Sequence, residues 1–326
     1  MSEAASPRLR DRVFTSDEPP STIDEWIVGQ RGPRNRVDPD RVMDAFVEEE
    51  RSESCELAPT ATLFLTNREC PFRCLMCDLW MNTLTETVAL GAIPRQIREA
   101  LSRLPPARQI KLYNSGSFFD PHAIPPADDA EIANLLSPFE RVIVECHPAF
   151  IGRRCFEFRD QLRAPLEVAI GLETAHPEAL ARLNKRMTLN DFTRAASRLV
   201  HAGIAVRAFI LLRPPYLSEE EGRVWAMRSI DFAFDAGASV CTIIPTRAGN
   251  GALDTLVKLG DFSSPSLESL EAVVEYGVGL GRGRVFADLW DLERRAEPPL
   301  QPRLMRLRQI NREQRIPPAL LNPGHA

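Results

Sequence analysis

The stretch Thr66-Asn67-Arg68-Glu69-Cys70-Pro71-Phe72-Arg73-Cys74-Leu75-Met76-Cys77-Asp78-Leu79 carries three thiols at a C-x3-C-x2-C spacing. Cys70, Cys74 and Cys77 can converge on one face of a metal cluster, and the Pro71-Phe72-Arg73 insert keeps the loop too tight to pair them as disulfides. A cubane suits this spacing. A 4Fe-4S cluster has four irons, so a chain offering three nearby thiolates leaves one iron open to an external ligand. Structural zinc wants four closed ligands, and the nearest spare thiol, Cys55, stands well upstream. Three unrelated buried cysteines are the other alternative, set against the polar character that Glu69, Pro71, Arg73 and Asp78 give the loop.

Working outward, residues 60 to 66 (Thr-Ala-Thr-Leu-Phe-Leu-Thr) read as a buried strand that delivers the cysteine loop at its C-terminal end. Beyond the loop the chain alternates. Strand-like runs of β-branched and aliphatic residues fall at 109 to 113, 141 to 146, 166 to 171, 205 to 212 and 239 to 244. Helical periodicity fits 95 to 104, 129 to 136, 153 to 162, 190 to 202, 219 to 236 and 266 to 279. Six βα units in a row predict an α/β fold, a parallel sheet with helices outside, and ligand sites in such sheets cluster at the C-terminal strand ends. The cysteine loop is already at that end.

Cys70-x3-Cys74-x2-Cys77 after a hydrophobic strand resembles the radical S-adenosylmethionine (radical SAM) superfamily. The runs Asn114-Ser115-Gly116-Ser117-Phe118-Phe119-Asp120, Val144-Glu145-Cys146-His147-Pro148, Gly171-Leu172-Glu173-Thr174 and Asn184-Lys185-Arg186-Met187-Thr188 are similar to its Elongator-like branch, over roughly residues 58 to 290. The resemblance implies a partial (βα)6 radical SAM barrel at 58–257, with a polar N-terminal extension at 1–57 and a C-terminal cap at 258–326. It implies a 4Fe-4S cluster on Cys70, Cys74 and Cys77, with S-adenosyl-L-methionine (SAM) chelating the open iron and cleaved by one electron to methionine and a 5'-deoxyadenosyl radical. A flavodoxin- or ferredoxin-like reductant would supply that electron, and tRNA is the substrate the branch implies. Met76 departs from the family, which commonly has an aromatic residue there.

Within that expectation the strand ends become a cofactor site. Asn114, Ser115, Gly116 and Ser117 follow the second strand, small residues where backbone can approach a ligand, at the position of the family's glycine-rich loop. A plain turn would look similar. Glu145 and Glu173 close the third and fourth strands and are expected to hold ribose hydroxyls or a substrate amine. The structural alternative is that they pair with Lys185, Arg186 or Arg207. Arg207, inside an apolar strand, is expected to grip the SAM carboxylate. Glu219, Glu220 and Glu221 follow Ser218 as a capping box and receive no catalytic role.

With 326 residues and 44% hydrophobic content, the chain can bury a full core. Its seven cysteines, three of them clustered, suit a reducing compartment. No apolar leader opens the sequence and no run of about 18 apolar residues occurs, which predicts a cytoplasmic protein without a membrane segment. A net charge of -5 argues against a surface devoted to nucleic-acid backbone, although five arginines between Arg303 and Arg315 make that segment locally basic. The charge favours a second enzyme reading, a radical SAM protein acting on a small metabolite or peptide; the non-enzyme alternative is a binding module that holds a cluster or zinc. The first twenty residues read as disordered, Ile23 to Val28 and Val42 to Phe46 as short helices, 285 to 290 as a further strand or cap, and 300 to 316 as a basic amphipathic helix on the barrel.

Overall fold

The structure, a computed structural model, describes residues 22–290, 292 and 301–318. Eight strands form one sheet in sequence order: β1 (Asp44–Arg51), β2 (Leu57–Phe64), β3 (Gln109–Tyr113), β4 (Arg141–Glu145), β5 (Leu166–Glu173), β6 (Ala205–Leu212), β7 (Val240–Pro245) and β8 (Arg284–Ala287). From β2 to β8 every neighbour is parallel, and β1 alone runs antiparallel, against β2. The helices are α1 (Ile23–Gly29), α2 (Ala92–Arg103), α3 (Asp129–Leu135), α4 (Arg153–Gln161), α5 (Pro177–Arg182), α6 (Leu189–His201), α7 (Glu219–Asp235), α8 (Ala252–Leu259), α9 (Leu267–Gly279) and α10 (Gln301–Glu313). The six predicted βα units are present, and the sheet curls into a partial barrel. Among the described residues no helix is long and apolar enough to cross a membrane.

Strand alternation decides what each face of the sheet does. Leu63, Leu112, Val144, Ile210 and Ile243 point outward and are fully buried under the helices, forming one continuous core with Ile93, Ile97, Phe158, Phe192 and Ile230. Helix starts are set by side-chain caps: Thr188 and Ser218 close capping boxes on α6 and α7, which accounts for Glu221 as expected. A smaller second core joins α1 and α8 to the cysteine loop through Trp26, Ile27, Leu75, Leu253 and Leu256.

One element corrects the sequence reading. Residues 42 to 46, expected as a short helix, enter β1, so the sheet takes in part of the segment expected as an N-terminal extension. The reason lies in period two: Ala45 and Val47 pack on the outer core, while Phe46, Glu48 and Glu50 face the lumen, where Lys111 meets both carboxylates. A run of acids next to apolar residues imitates a helix until its partners across the barrel are known.

The C-terminal helix is where it was expected, with Leu304, Leu307 and Ile310 buried. It packs against both β1 and β8, across the barrel seam. Asn311 and Gln314 extend the ladder at the open edge of β8. The Ala287 amide donates to Asn311 Oδ1 at 2.8 Å and the Val285 amide to Gln314 Oε1 at 2.7 Å, while Asn311 Nδ2 and Gln314 Nε2 donate to the same residues' carbonyls, each at 2.9 Å. Two amide side chains thus satisfy backbone that would otherwise be an exposed edge. The predicted disorder of the first twenty residues lies outside the described residues.

Candidate metal and cofactor site

The cysteine loop leaves the C-terminal end of β2 and is tied down on three sides. The amide of Leu75 donates to Leu183 O at 2.9 Å, and Asn184 Nδ2 donates to Arg73 O at 2.8 Å. Asn250, after β7, donates from Nδ2 to Leu75 O at 2.8 Å and to Cys77 O at 3.2 Å, while its Oδ1 takes the Leu253 amide. Arg247 Nη2 reaches Asp78 Oδ2 at 2.8 Å. From the N-terminal side, Arg31, Arg34 and Arg73 converge on Glu69, with Arg31 lying 4.7 Å over the Trp80 ring.

All three sulfurs are free thiols of intermediate exposure, and burial of the groups pushes each up to about 12. Such thiols ionise when a metal takes the proton's place. Backbone amides serve all three sulfurs: Phe72 at Cys70, its own at Cys74, and Leu79 and Trp80 at Cys77. Among the described residues no three His, Cys, Asp or Glu groups converge as a single ion would require. Three thiols at a C-x3-C-x2-C spacing on one loop, near enough to one another for each to raise its neighbour, fit separate corners of a multi-iron cluster.

Glu173 and Lys185 stand beside the loop. Lys185 Nζ lies 2.6 Å from Glu173 Oε1, both groups buried. Burial opposes the ammonium, but Glu173 and the Cys74 and Cys70 sulfurs outweigh it and hold Lys185 above its ordinary range. An added Cβ at Gly171 would overlap both Glu173 Oε1 and Lys185 Nζ, so the pair occupies the space a side chain would take. Glu173, Asn184 and Arg186 all adopt positive φ (64°, 53° and 55°), a costly conformation held by the surrounding contacts. His147 Nε2 meets Lys185 O at 3.0 Å while its Nδ1 accepts the Ala149 amide at 3.1 Å, which places the proton on Nε2. Burial, followed by the Lys185 charge, drops this imidazole to about 4, and its ring stacks on Phe72 of the loop at 3.9 Å.

The turn after β3 is shaped by Glu145. Its Oε1 accepts the amides of Asn114 at 2.6 Å and Gly116 at 3.3 Å, and burial raises the carboxyl to about 7. Ser115 takes a positive φ of 54° in that turn. Gly116 abuts the cysteine loop so closely that a Cβ there would lie 3.3 Å from Cys70 Cβ. Ser117 Oγ accepts the His147 amide at 3.0 Å. Asn114 is fully buried, yet neither its Nδ2 nor its Oδ1 has a hydrogen-bond partner. A buried amide left in that state is expected to meet a ligand.

Arg207 does not join this group. It is the third residue of β6, toward the N-terminal end of the strand, and it pairs with Glu50 at 2.5 Å and Glu167 at 2.7 Å over the Phe286 ring. With Lys111 and Glu50 2.6 Å apart, these charges close the floor of the barrel. The expectation that Arg207 holds a SAM carboxylate is therefore corrected: its guanidinium is spent on two buried acids. The cation whose charge acts on the Cys74 and Cys70 sulfurs is Lys185, twelve residues past the Glu173 strand end. Of the pairings weighed for the acids, Glu173 does meet Lys185, whereas Glu145 takes backbone amides and Arg186 pairs with Asp24 at 2.6 Å.

Comparison with solved structures places the architecture. The chain superposes on methylornithine synthase (PylB) with a TM-score of 0.51, over 79% of this chain and 74% of that one, at 13% identity. The fold is the radical SAM partial barrel. No protein-family model matches the chain. In sequence it is 27% identical over 207 residues to archaeosine synthase subunit beta of Methanosarcina acetivorans, covering 60% of this chain and 59% of that protein. It is 30% identical over 148 residues to the protein of the same name from Thermococcus kodakarensis, covering 43% and 46%. The chain thus spans between 46% and 64% of the length of the curated relatives it matches. Together these similarities carry the Elongator-like radical SAM resemblance read from the motifs.

Proposed function

We propose that this protein is a radical SAM enzyme in which Cys70, Cys74 and Cys77 hold a 4Fe-4S cluster at the mouth of the barrel. The observation that carries the reading is the three-thiol loop at the C-terminal strand ends, facing a fully buried Asn114 whose amide lacks a partner. Once reduced by a flavodoxin- or ferredoxin-like donor, a cluster held by these three cysteines would supply the electron for reductive cleavage of SAM. The chain's own residues bind and orient. Asn114 and the turn through Gly116 and Ser117, shaped by Glu145, would receive the SAM amino group; Lys185 would take its carboxylate; Glu173, which holds Lys185, would serve the ribose.

The substrate we propose is a tRNA nucleoside, a reading supported by the two relatives named archaeosine synthase subunit beta. Anoxic reconstitution with iron and sulfide, then dithionite and SAM, is expected to release 5'-deoxyadenosine. Cys74→Ala should lose both the cluster absorbance and that release. A reconstituted wild type that leaves SAM intact would end the enzymatic reading. Binding of tRNA should weaken steeply with salt if phosphates are neutralised.

A further inference from the structure

Three loops make up the cofactor end of the barrel: the cysteine loop after β2, the 114–117 turn after β3 and the 183–187 turn after α5. His147, two residues past the end of β4, touches all three. Its backbone amide donates to Ser117 Oγ at 3.0 Å. Its ring stacks on Phe72, the middle residue of the insert between Cys70 and Cys74, with centroids 3.9 Å apart and planes 27° from parallel. Its Nε2 donates to Lys185 O at 3.0 Å. The residue is buried, only 8% exposed.

Local sequence explains how one imidazole does this. His147 caps the short turn Pro148–Phe150, and Nδ1 accepts the Ala149 amide at 3.1 Å. That bond fixes the ring and its tautomer together, leaving Nε2–H to donate and the flat face to meet Phe72. Phe150, on the same turn, meets Phe72 edge-on at 6.0 Å, so the aromatic ring of the cysteine loop is held from two sides.

Lys185 is the group most dependent on this contact. It stands between Asn184 and Arg186, both at positive φ, a conformation that a non-glycine residue keeps only where its surroundings impose it. Asp24 holds the two flanking side chains, Asn184 Nδ2 at 2.7 Å and Arg186 Nη2 at 2.6 Å. His147 holds the carbonyl between them. Without that bond the turn is free to relax toward ordinary φ, and the Lys185 ammonium moves with it.

We propose that His147 is a positioning residue: by gripping the Lys185 carbonyl and the Phe72 ring at once, it sets the place of the Lys185 ammonium relative to the cysteine loop, and so the fit of the SAM carboxylate. The inference deepens the radical SAM reading and rests on it for the place of Lys185 at that carboxylate.

Equilibrium dialysis of SAM against reconstituted, unreduced protein tests it. His147→Phe keeps a ring on Phe72 but cannot donate to Lys185 O, so cluster absorbance should be retained while SAM binds about tenfold more weakly, the worth of one hydrogen bond. Should that variant not fold, His147→Asn carries the same expectation, because it keeps an N-cap acceptor for the Ala149 amide but is too short to reach Lys185 O. The same change is then made in the Lys185→Met, Glu173→Gln background, where no ammonium remains to be placed. There the further loss should shrink below about twofold, whereas a merely structural effect would persist in full. Wild-type SAM affinity in the single variant, or a tenfold loss repeated in that background, overturns the proposal. A background that itself binds SAM as wild type does sinks the Lys185 reading instead, and the role of His147 falls with it.

Discussion

Lys185 and Glu173 form a buried ion pair, Nζ to Oε1 at 2.6 Å, beside the cysteine loop, and their space exists only because residue 171 is glycine. Removing one partner of such a pair strands the other. Lys185→Met should therefore destabilise the fold by roughly 3–5 kcal/mol, the usual penalty for a buried charge left alone. The double variant Lys185→Met with Glu173→Gln should recover much of that stability without recovering SAM affinity. Thermal melts and SAM titration of the reconstituted proteins separate the two effects. Full SAM affinity in the double variant would remove Lys185 from the cofactor site.

Gly171→Ala tests the same pair from its other side. The atoms an added Cβ would overlap are the far ends of two flexible side chains, and Gly171 does not have a positive φ, so the fold should survive. The pair itself should be displaced. SAM affinity is expected to fall by about tenfold, comparable to the loss of one charge-assisted hydrogen bond, while cluster absorbance is retained. Unaltered affinity would mean that the position of the pair does not matter to the ligand.

Arg207→Met asks whether the barrel floor serves stability alone. Burial works against the Glu50 carboxylate, but Arg207 and Lys111 together hold it well below the usual carboxylate range. A carboxylate whose folded pKa is depressed contributes stability above its unfolded pKa, and this is lost as pH falls through the folded value. At neutral pH the variant should thus lose roughly 3–5 kcal/mol, because Glu50 and Glu167 remain buried without their shared cation. SAM affinity should not change. A selective loss of SAM binding with an unchanged melting temperature would return Arg207 to the ligand site.

The difference between Arg207 and Lys185 also marks how far the sequence could be read. The cysteine loop, the six βα units and the acids at strand ends were legible because they are set by spacing and by period, which are local. The height of Arg207 in the barrel was legible in principle: it stands five residues before the end of β6, below any site at the mouth. What spacing could not supply was its partner, since Glu50 comes from a strand far upstream whose first residues looked helical and whose end read as a polar extension. Lys185 was seen only as a structural partner for an acid. Its nearness to the thiols depends on the left-handed turn through Asn184 and Arg186, which no helix or strand pattern encodes.

Glu145 gives a pH dependence with a definite sign. Its carboxyl is raised by burial to about 7, above its unfolded value near 4.3. Between those values the folded chain binds more protons than the unfolded chain, so this group lowers stability progressively as pH rises from about 4.3 to 7. His147, held down to about 4, works the opposite way over part of the same range, so the wild-type curve alone is not diagnostic. Glu145→Gln keeps an oxygen that can accept the Asn114 and Gly116 amides but carries no charge. Relative to wild type it should be no more stable at pH 4.5 and more stable at pH 8, the gain appearing across that interval and approaching roughly 3 kcal/mol. Paired thermal melts across pH, on protein in the same cluster state, measure the difference directly. A difference that does not vary with pH would show that the Glu145 carboxyl ionises as it would in water, and that the 114–116 turn is held without strain on its charge.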